Sequence, residues 1–572
     1  MRDRDFTYLL DEKVLDFAPA VAIGDAQIRN RDAGNGRDGA LQYDQFLFNG
    51  KAGDAIEPMR AAAAPGPARA DAPFGPKPRG SAPRGHRRYL SPVDGKIEHL
   101  SFRTGDAAEI LTVRRVAHGR RARPTRTYHE PARDLPVFAE ADVLVVGGGP
   151  AGCAAAVAAA RTGADVLLVE RYGHLGGLAT GGLVIWIDRM TDWDGRQVIE
   201  GFAVDILDRL PKGGVTGAPK EQWGSKDPEH NAYWGQRLGS FRNIVTWSPL
   251  IDPEWLKLES LRMALELGVR IVFHSWGVAA IVEDSQVRGI VFESKEGRQA
   301  VFARCTVDAT GDGDVFAQAG AAFASDVDAK SMHHSVNVAW LWAGVNMPRY
   351  LAFRSAEAER YAATADEGRR LLGELERPYV SWRDDVALFL GPRLTGYSPI
   401  DVEDLTAVEV ESRRWMADLL RFYRARMPGF EEAWLMQTAP QIGVRHSRRL
   451  RGMHPVVREE WQAGAYHPDE IGVSPSLSPA FASVSVPYGS LVPIDLDGLL
   501  APGRHMASDA GSHTFLREIP QCWLTGQAAG AAAALAASSG RAPRAIDITA
   551  LQAELRRQRA YVRTPAPLTP TP

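Results

Sequence analysis

The stretch Asp142-Val-Leu-Val-Val-Gly-Gly-Gly-Pro-Ala-Gly152 is an apolar run that ends in a glycine-rich turn. Its glycines Gly147, Gly149 and Gly152 follow the Gly-x-Gly-x-x-Gly spacing. In that spacing the first permits a tight turn, the second lets backbone approach a pyrophosphate, and the third lets helix and strand pack closely. Because helix N-termini attract phosphate, the helix predicted over 150–161 would point its amides at such a ligand. The stretch therefore predicts a dinucleotide-binding βαβ unit.

An acidic residue at the end of the next apolar strand supports this prediction. Residues 166–169 form that strand and Glu170 follows it directly. A carboxylate at this point accepts hydrogen bonds from a ribose and favours an unphosphorylated adenosine ribose, as in FAD or NAD. A buried βαβ unit that binds no cofactor would carry a similar turn, so other parts of the chain must decide which dinucleotide is bound.

Length and composition limit the classes of function. A chain of 572 residues predicts about two or three domains. Its hydrophobic fraction of 45% supports a large core, and its formal net charge of -3 gives no general attraction to nucleic acid or anionic membrane. We therefore expect a small-molecule substrate. The electron acceptor is left unassigned, and an oligomer is left open.

The cysteine spacing and the apolar runs indicate whether the protein binds a metal ion and where in the cell it is expected. Cys153, Cys305 and Cys522 lie far apart without a Cys-x-x-Cys pair, which argues against a disulfide framework or a zinc site, and we predict no metal. The first residues lack the apolar stretch of a secretory signal. The longest uncharged run, 143–160, contains the glycine turn and is interpreted as a buried strand and helix. We expect a cytoplasmic protein without a membrane span.

Four motifs in a fixed order suggest a family. They are the glycine fingerprint, an antiparallel meander predicted over 278–283, 287–293 and 299–305, the segment Asp308-Ala-Thr-Gly-Asp-Gly-Asp314, and a late block with Gly503-Arg504 and Thr525-Gly-Gln-Ala-Ala-Gly530. This order resembles the FAD-dependent oxidoreductases of the glutathione-reductase-like superfamily. It is most similar to the FAD-dependent oxidoreductase family of bacterial flavoproteins related to the fumarate reductase group. The resemblance spans roughly 400 positions and implies noncovalently bound FAD.

The resemblance implies a fold class and a domain plan. The fold class is α/β, with a Rossmann-like FAD-binding domain of parallel sheet plus three-stranded antiparallel meander and an inserted α+β substrate domain. The FAD-binding domain would comprise 127–185, 248–321 and 494–545, and the substrate or cap domain 186–247 and 322–493. Residues 1–126 would form a largely disordered extension with a candidate β module at 89–113, and 546–572 a C-terminal helix and disordered tail.

The resemblance also implies a set of cofactor contacts. These are Gly147, Gly149, Pro150, Ala151, Gly152, Glu170, Arg171, Gly176, Gly177, Leu178, Ala179, Thr180, Val278, Ala309, Thr310, Gly311, Asp312, Gly503, Arg504, Gly526, Gln527 and Ala528. Asp312 would lie near the ribityl chain or a phosphate. Calcium binding by Asp312 and Asp314 is the alternative, but other oxygen ligands at suitable spacing are missing.

The last alanine-rich helix is predicted to begin at Thr525 and to run to residue 538. If its N-terminus faces the pyrimidine edge of a flavin, its amides and dipole stabilise the negative charge of the reduced ring. An alanine-rich packing helix is compatible with that function.

Several histidines and arginines are candidates for chemistry. The stretch Ser512-His-Thr-Phe-Leu-Arg517 resembles a His-then-Arg stretch of the family that lies close to the flavin ring. The resemblance implies His513 as the acid/base group and Arg517 as a contact to flavin or a substrate anion, and an ordinary hydrogen-bonded histidine at a helix entrance is the alternative for His513. His174 lies one position away from a histidine that bonds flavin covalently in relatives. The arginine-rich turn could recognise a carboxylate or form structural ion pairs. His333 and His334 are secondary candidates for lining the pocket. The turn contains Arg445, Arg448 and Arg449, and is followed by His454 where the family often has Tyr.

These features predict an FAD-dependent oxidoreductase that moves a hydride between a small organic substrate and flavin N5. Two alternatives stay open. The arginines within 114–126 could contact RNA, as in tRNA-modifying flavoproteins of the same fold, although nucleic acid is not the expected partner. A non-catalytic FAD-binding protein is the other, and the intact glycines and Glu170 count against it.

Overall fold

A mixed β-sheet with a parallel centre organises the structure, a computed structural model that describes residues 97–100, 113–116, 126–325, 336–394 and 397–564. Its parallel strands are β1 (Val137–Val146), β2 (Val166–Val169) and β3 (Arg270–Val272), with β1 beside β2 and β2 beside β3. Helix α1 (Pro150–Arg161) joins β1 to β2, and α2 (Pro253–Glu266) leads into β3. The glycine turn and Glu170 thus follow neighbouring strands, as the sequence predicts.

An antiparallel meander continues the sheet on the other side of β1. It consists of β4 (Trp276–Glu283), β5 (Gln286–Ser294) and β6 (Gly297–Asp308). The first half of β6 pairs with β5, whereas most of its length pairs parallel with β1. Its last residues also pair with β7 (Leu499–Leu500), which is parallel to β6. The predicted three-stranded meander is present, and its third strand also belongs to the parallel sheet.

Helices α1 and α4 (Ile519–Ser539) pack face to face beside this sheet. The short helix α3 (Ala510–Leu516) directly precedes α4. A Cβ on Gly526 would lie 2.1 Å from the Ala151 oxygen, and one on Gly530 2.0 Å from the Ala155 oxygen. Glycine at these two positions therefore lets the helix backbones approach more closely than any side chain would allow. The fully buried alanines of α1 and α4 complete this contact.

The residues between the sheet segments form smaller elements. One group, between Gly177 and Ile251, comprises Gly177–Ala179, Phe202–Asp208, Val215–Thr216, Lys220–Gln222, Pro228–Gly235, Ser240–Phe241, Ile244–Val245 and Leu250–Ile251. The second comprises Asp314–Gln318, Phe323–Ser325, Val336–Asn337, Trp340–Ala343, Met347–Ala356, Tyr379–Val380, Val386–Phe389, Val402–Arg426, Trp434–Thr438, Gly443–Val444, Arg448–Leu450, Arg458–Gln462, Glu470–Ser474, Val484–Pro487 and Tyr488–Leu491. Pro543–Ala545 and Ile548–Arg557 follow α4.

A four-stranded antiparallel sheet is the main feature of this second group. Trp340–Ala343 pairs with Val386–Phe389 on one side and with Trp434–Thr438 on the other. Aromatic rings fill the space between it and the helix Val402–Arg426: Trp340 stacks on Phe389 at 4.8 Å between ring centroids, and Trp342 meets Tyr423 edge-on at 5.5 Å. The tryptophans of this region therefore form a core of their own.

Two compact units divide the chain. One contains, among its described elements, the antiparallel pair Ile97–Leu100 and Val113–Val116 and the helix Ala358–Leu372. The other contains all the remaining elements above. The pair of strands overlaps the β module predicted at 89–113, whereas most of the extension predicted at 1–126 lies outside the described residues. The α/β class is confirmed, and the predicted domain boundaries stay predictions.

In the described part of the chain, none of the helices combines the length and apolar character that crossing a bilayer requires.

Candidate functional site

A cleft that is open to solvent lies at the carboxyl edge of the parallel strands. Parallel α/β sheets bind ligands at this edge. In the order β2, β1, β6, β7, the strands end at Glu170, Gly147, Ala309 and the segment before Gly503. The lining residues are Val146, Gly147, Gly149, Pro150, Ala151, Val169, Glu170, Arg171, Tyr172, Gly177, Leu178, Ser275, Trp276, Gly277, Ala309, Thr310, Gly311, Asp314, Gln441, Ile442, Val444, Pro502, Gly503, Arg504, Arg517, Ile519 and Cys522.

The three fingerprint glycines have different surroundings. Gly147 has φ of +98°, and a Cβ there would lie 2.5 Å from the Ala309 oxygen. A Cβ on Gly152 would lie 1.7 Å from the Gly147 oxygen, so both glycines are required for the turn itself. Gly149 precedes α1 with φ of -70°, lines the cleft, and would bring a Cβ no nearer than 4.0 Å to other atoms. Only Gly149 is thus left open toward a ligand.

Glu170 is held rigidly at the end of β2. Its Oε2 accepts a hydrogen bond from the Gly148 amide at 2.5 Å, and its Oε1 accepts one from the Tyr172 amide at 2.7 Å. Burial raises the pKa of this carboxyl, and the two amides and Arg171 oppose the shift. Since a carboxylate has about four acceptor positions, these hydrogen bonds leave acceptor capacity on Glu170.

Arg171 and two aromatic rings form the wall beside Glu170. The Arg171 guanidinium lies 5.0 Å from the Tyr172 ring centroid and 5.2 Å from that of Trp276. All three residues line the cleft. The predicted contact Val278 is not among the lining residues, and the preceding Ser275, Trp276 and Gly277 take its place. A flat cationic and aromatic wall of this kind suits an adenine ring.

A buried ion pair shapes the opposite part of the cleft. Arg504 donates from Nε to the Gly311 oxygen at 2.6 Å and from a terminal nitrogen to Asp312 at 2.7 Å, and Ser447 donates to the same carboxylate at 2.8 Å. Burial alone would raise the pKa of Asp312, but Arg504 and Arg171 outweigh it and lower that pKa. The carboxylate of Asp312 therefore faces Arg504, and the prediction that it approaches the ribityl chain or a phosphate is not supported by this geometry.

Calcium binding by Asp312 and Asp314 is likewise unsupported. Asp314 pairs with Arg448 at 3.0 Å, so each carboxylate already has an arginine as counter-ion. Arg448 also donates to the backbone oxygen of Asp312 at 2.8 Å. Of the three arginines in the turn, Arg448 thus forms a structural ion pair, which was one of the two functions that the sequence left open.

The last helix begins earlier than the sequence predicts. Helix α4 starts at Ile519 with Glu518 as its N-cap, so a start at Thr525 is wrong. Gly526, Gln527 and Ala528 consequently lie inside the helix. The Gln527 side chain accepts from the Phe202 amide and donates to the Gln558 oxygen, and none of the three residues lines the cleft. Ile519 and Cys522, in the first turn of α4, line the cleft.

The loop after β2 divides into lining and supporting residues. Gly177 and Leu178 line the cleft. Thr180 is fully buried and donates its hydroxyl to the oxygens of Leu175 and Gly177 at 2.8 and 3.2 Å. A Cβ on Gly176 would lie 2.4 Å from the Thr180 side chain, and Ala179 is buried. Gly176, Ala179 and Thr180, which were predicted to contact the cofactor, therefore stabilise the loop from the side that faces away from the cleft.

The two candidate catalytic residues are placed differently. Arg517 lines the cleft and pairs with Glu518 at 3.0 Å. His513 is 2% exposed within α3, lies edge-on to His446 at 4.7 Å between ring centroids, and does not line the cleft. The structure thus supports Arg517 as a cleft residue and gives no support to His513 as the acid/base group.

The remaining candidates bear less on the cleft. His174 stacks on Tyr172 at 5.7 Å and is not a lining residue, and burial lowers its pKa. His333 and His334 lie outside the described residues. Sequence reasoning missed Tyr172, Trp276, Gln441, Ile442 and Cys522, which line the cleft from loops, from the first residue of β4 and from the first turn of α4. Only Ile519 had a readable signal, because Pro520 marks the first turn of a helix.

The cleft fits an adenine dinucleotide on the structure's own terms. The open backbone at Gly149 and the amino end of α1 form a phosphate cradle, and Glu170 retains acceptor capacity for a ribose. Arg504, the α4 terminus and Arg517 provide the polar groups at the far end.

Comparison with known proteins identifies the class. The chain matches the family "FAD dependent oxidoreductase" over residues 142–476 and 478–555, which is more than half of its length, and it belongs to this family. The protein is accordingly an FAD-dependent flavoenzyme. The match begins at the first residue of the glycine-rich stretch and extends through α4.

Individual relatives are more distant. Digeranylgeranylglycerophospholipid reductase 1 of Methanopyrus kandleri is 27% identical over 175 residues, which are 30% of this chain and 40% of the relative. The tRNA uridine 5-carboxymethylaminomethyl modification enzyme of Granulibacter bethesdensis is 37% identical over 99 residues, 16% of each chain. The chain thus spans less than half the length of these curated relatives.

Among solved structures, a geranylgeranyl bacteriochlorophyll reductase-like protein from Thermoplasma acidophilum is similar with a TM-score of 0.37 and 13% identity, covering 73% of this chain and 82% of that one. A myxobacterial chondrochloren halogenase gives 0.38 and 15%, covering 73% and 79%.

Proposed function

We propose that the protein transfers a hydride between a small organic substrate and N5 of noncovalently bound FAD. The observation that carries the proposal is the continuous cleft from Glu170 to Ile519, with partners suited to an adenosine at one end and to a redox-active ring at the other. When bound, FAD supplies the two-electron chemistry. The chain supplies binding, orientation and charge.

Each end of the cleft has a distinct task in this proposal. Glu170 binds the ribose, and Gly149 with the α1 amides binds the pyrophosphate. The amino end of α4 places its backbone amides and the positive end of its dipole beside Ile519, where they stabilise negative charge on the reduced ring. Arg517 adds a guanidinium to that end and holds an anionic group of the substrate.

Proton transfer by the described cleft residues is limited at this end. Burial raises the pKa of Cys522 to about 12, so its thiol stays protonated at neutral pH. The Cys522 thiol therefore does not accept a proton, and we assign Cys522 and Arg517 to positioning.

Reconstitution tests the cofactor part. We expect the apoprotein to take up one FAD per chain, and acid precipitation to release all of it into the supernatant, because His174 does not line the cleft. A yellow pellet would contradict noncovalent binding, and failure to bind FAD would refute the site. Glu170→Gln should weaken binding about 10- to 100-fold, since hydrogen bonds to a charged group contribute about 1.5–3 kcal/mol.

Anaerobic reduction tests the reaction part. Reconstituted protein is mixed with NADH, NADPH or a low-molecular-weight cell extract, and the flavin absorbance is followed. Bleaching by one of these donors supports hydride transfer. Arg517→Met should slow bleaching by an anionic substrate with little loss of FAD, and Arg517→Lys should restore part of the rate. FAD that no donor reduces would favour the non-catalytic alternative.

The alternative that the protein modifies RNA has weaker support. Of the arginines that suggest it, Arg114 and Arg115 lie on the strand Val113–Val116, Arg126 is described, and the others lie outside the described residues. We therefore keep the small-molecule reaction as the proposal.

A further inference from the structure

Three side chains that could bind a metal ion converge outside the FAD cleft. They are His454, Glu460 and His467, none of which lines the cleft. His454 follows the strand Arg448–Leu450, Glu460 lies on the helix Arg458–Gln462, and His467 precedes the strand Glu470–Ser474. One nitrogen or oxygen atom from each lies within 4.8 Å of the others.

The distances match those of a tetrahedral ion. The Nε2 atom of His454 lies 3.3 Å from Oε2 of Glu460, and Nε2 of His467 lies 3.7 Å from the same oxygen. Zinc binds nitrogen and carboxylate oxygen at about 2.0–2.2 Å, which places neighbouring ligand atoms of a tetrahedron about 3.4 Å apart. The two nitrogen–oxygen distances are close to this spacing, and the two imidazole nitrogens lie within 4.8 Å of each other.

The ligands are anchored by the backbone around them. The amide of His454 donates to the Gly489 oxygen at 3.1 Å, and the amide of Gly489 donates to Asp469 at 3.0 Å. The amide of His467 donates to the Ser485 hydroxyl at 3.1 Å. The two imidazoles meet edge-on with ring centroids 4.5 Å apart. The backbone at His454 and at His467 is therefore held in place before any ion arrives.

Exposure adds a second feature of a metal site. The His467 side chain is 9% exposed, whereas those of His454 and Glu460 are 36% and 38% exposed. The cluster thus has one buried ligand and an accessible side through which an ion can enter and a water molecule can complete the coordination.

We propose that His454, Glu460 and His467 bind one divalent transition metal ion, with zinc as the best match to two imidazoles and one carboxylate. The ion ties the segment after Arg448–Leu450 and the helix Arg458–Gln462 to the start of Glu470–Ser474. It lies apart from the cleft-lining residues and stabilises the fold without taking part in the redox step. This proposal replaces the prediction of no metal, which rested on cysteine spacing alone.

Titration of the FAD-loaded full-length protein, freed of any affinity tag, with Zn²⁺ tests the proposal. We expect one ion per chain. Glu460→Gln, which keeps the shape of the side chain and removes its charge, should weaken binding at least tenfold. The matched control is Glu459→Gln, an exposed residue on the same helix with the same change of charge, and it should bind as the unaltered protein does.

Cobalt substitution gives a readout that a structural defect would not mimic. Co²⁺ bound by two imidazoles and a carboxylate in a tetrahedral site absorbs at wavelengths longer than the flavin bands. That absorption should appear in the unaltered protein and in Glu459→Gln, and be lost in Glu460→Gln and His454→Ala. The FAD content should be equal in all four proteins.

Two results would overturn the proposal. One is substoichiometric Zn²⁺ binding by the unaltered protein, which would leave the cluster as a carboxylate hydrogen-bonded to His454 with His467 beside it. The other is unchanged binding by Glu460→Gln. Because FAD content is measured separately, neither result bears on the oxidoreductase proposal.

Discussion

At the scale of single residues, one fingerprint glycine is predicted to matter for FAD binding and another for the stability of the fold. We expect Gly149→Ala to leave the stability of the apoprotein unchanged, because its Cβ would meet nothing closer than 4.0 Å. The new methyl group would occupy the space into which a pyrophosphate packs. FAD affinity should therefore fall by at least about tenfold, or about 1.4 kcal/mol. Fluorescence titration with FAD and urea unfolding of the apoprotein measure the two effects.

Gly152→Ala is the control for that experiment, because a Cβ there would lie 1.7 Å from a backbone oxygen of Gly147. It should unfold the apoprotein at lower urea concentration. Equal effects of Gly149→Ala and Gly152→Ala on apoprotein stability would show that the turn, and not the ligand, requires both glycines.

The buried pair Asp312–Arg504 leads to a second expectation. Asp312→Asn leaves Arg504 with a buried, uncompensated charge, and breaking such a pair costs about 3–5 kcal/mol. The folded-state pKa of Asp312 lies below its ordinary value of 3.8. Its contribution is therefore complete above pH 3.8 and is lost as the pH falls through the folded-state pKa. Urea unfolding from pH 7 down to pH 3 should show this loss in the unaltered protein and not in the variant.

Asp165→Asn serves as the matched control. Asp165 pairs with Arg270 at 2.7 Å, but both side chains are about half exposed. Exposed pairs contribute about 0–1 kcal/mol, so this change should be nearly neutral. If both variants lose a comparable free energy of unfolding, the buried Asp312–Arg504 pair contributes no more to stability than an exposed pair.

At the scale of elements, the contact of α1 with α4 is set by two glycines. Gly530→Ala should destabilise the protein by about 1–3 kcal/mol, because the added methyl would overlap the Ala155 oxygen at 2.0 Å. Thermal unfolding with and without FAD is the measurement. Gly235→Ala is the same change within the helix Pro228–Gly235, with nothing within 4 Å, and it should not destabilise. Tolerance of Gly530→Ala would refute the close helix contact.

The sequence predicted most of the elements around the cleft. The strand at 166–169 and the helix at 150–161 have the predicted bounds, because their apolar runs end at glycine, charge or proline. The start of α4 was placed too late, since its alanine-rich part gives no local boundary and the signal of Pro520 was overlooked. The double pairing of β6 was not predicted, because an apolar strand pattern does not specify its partners.

The cofactor end of the site was also easier to predict than the reaction end. Gly147, Gly149 and Glu170 act through a local motif with fixed spacing, and all three line the cleft. Trp276, Gln441 and Ile519 reach the same cleft from distant segments, and only the fold brings them together. His513 was assigned from its neighbourhood in sequence, but the face of α3 on which it lies points it toward His446.

At the scale of the whole molecule, all described residues that line the cleft lie between Val146 and Cys522. A protein without residues 1–125 should therefore bind one FAD per chain, as the full chain does. The same pair of proteins tests the RNA alternative, which requires weaker retention of RNA after truncation, measured by filter binding. Loss of FAD from the shortened protein would show that the N-terminal residues contribute to the site.

The order of the strands has a consequence for synthesis on the ribosome. When residue 325 has emerged, β1 to β6, the glycine turn and Glu170 exist, but β7, Gly503, Arg504 and α4 do not. The buried alanine face of α1 and one edge of β6 then have no cover, and exposed apolar faces and unpaired strand edges promote aggregation. We therefore expect the nascent chain to expose these surfaces until α4 has been made, and the cleft to be complete only after that.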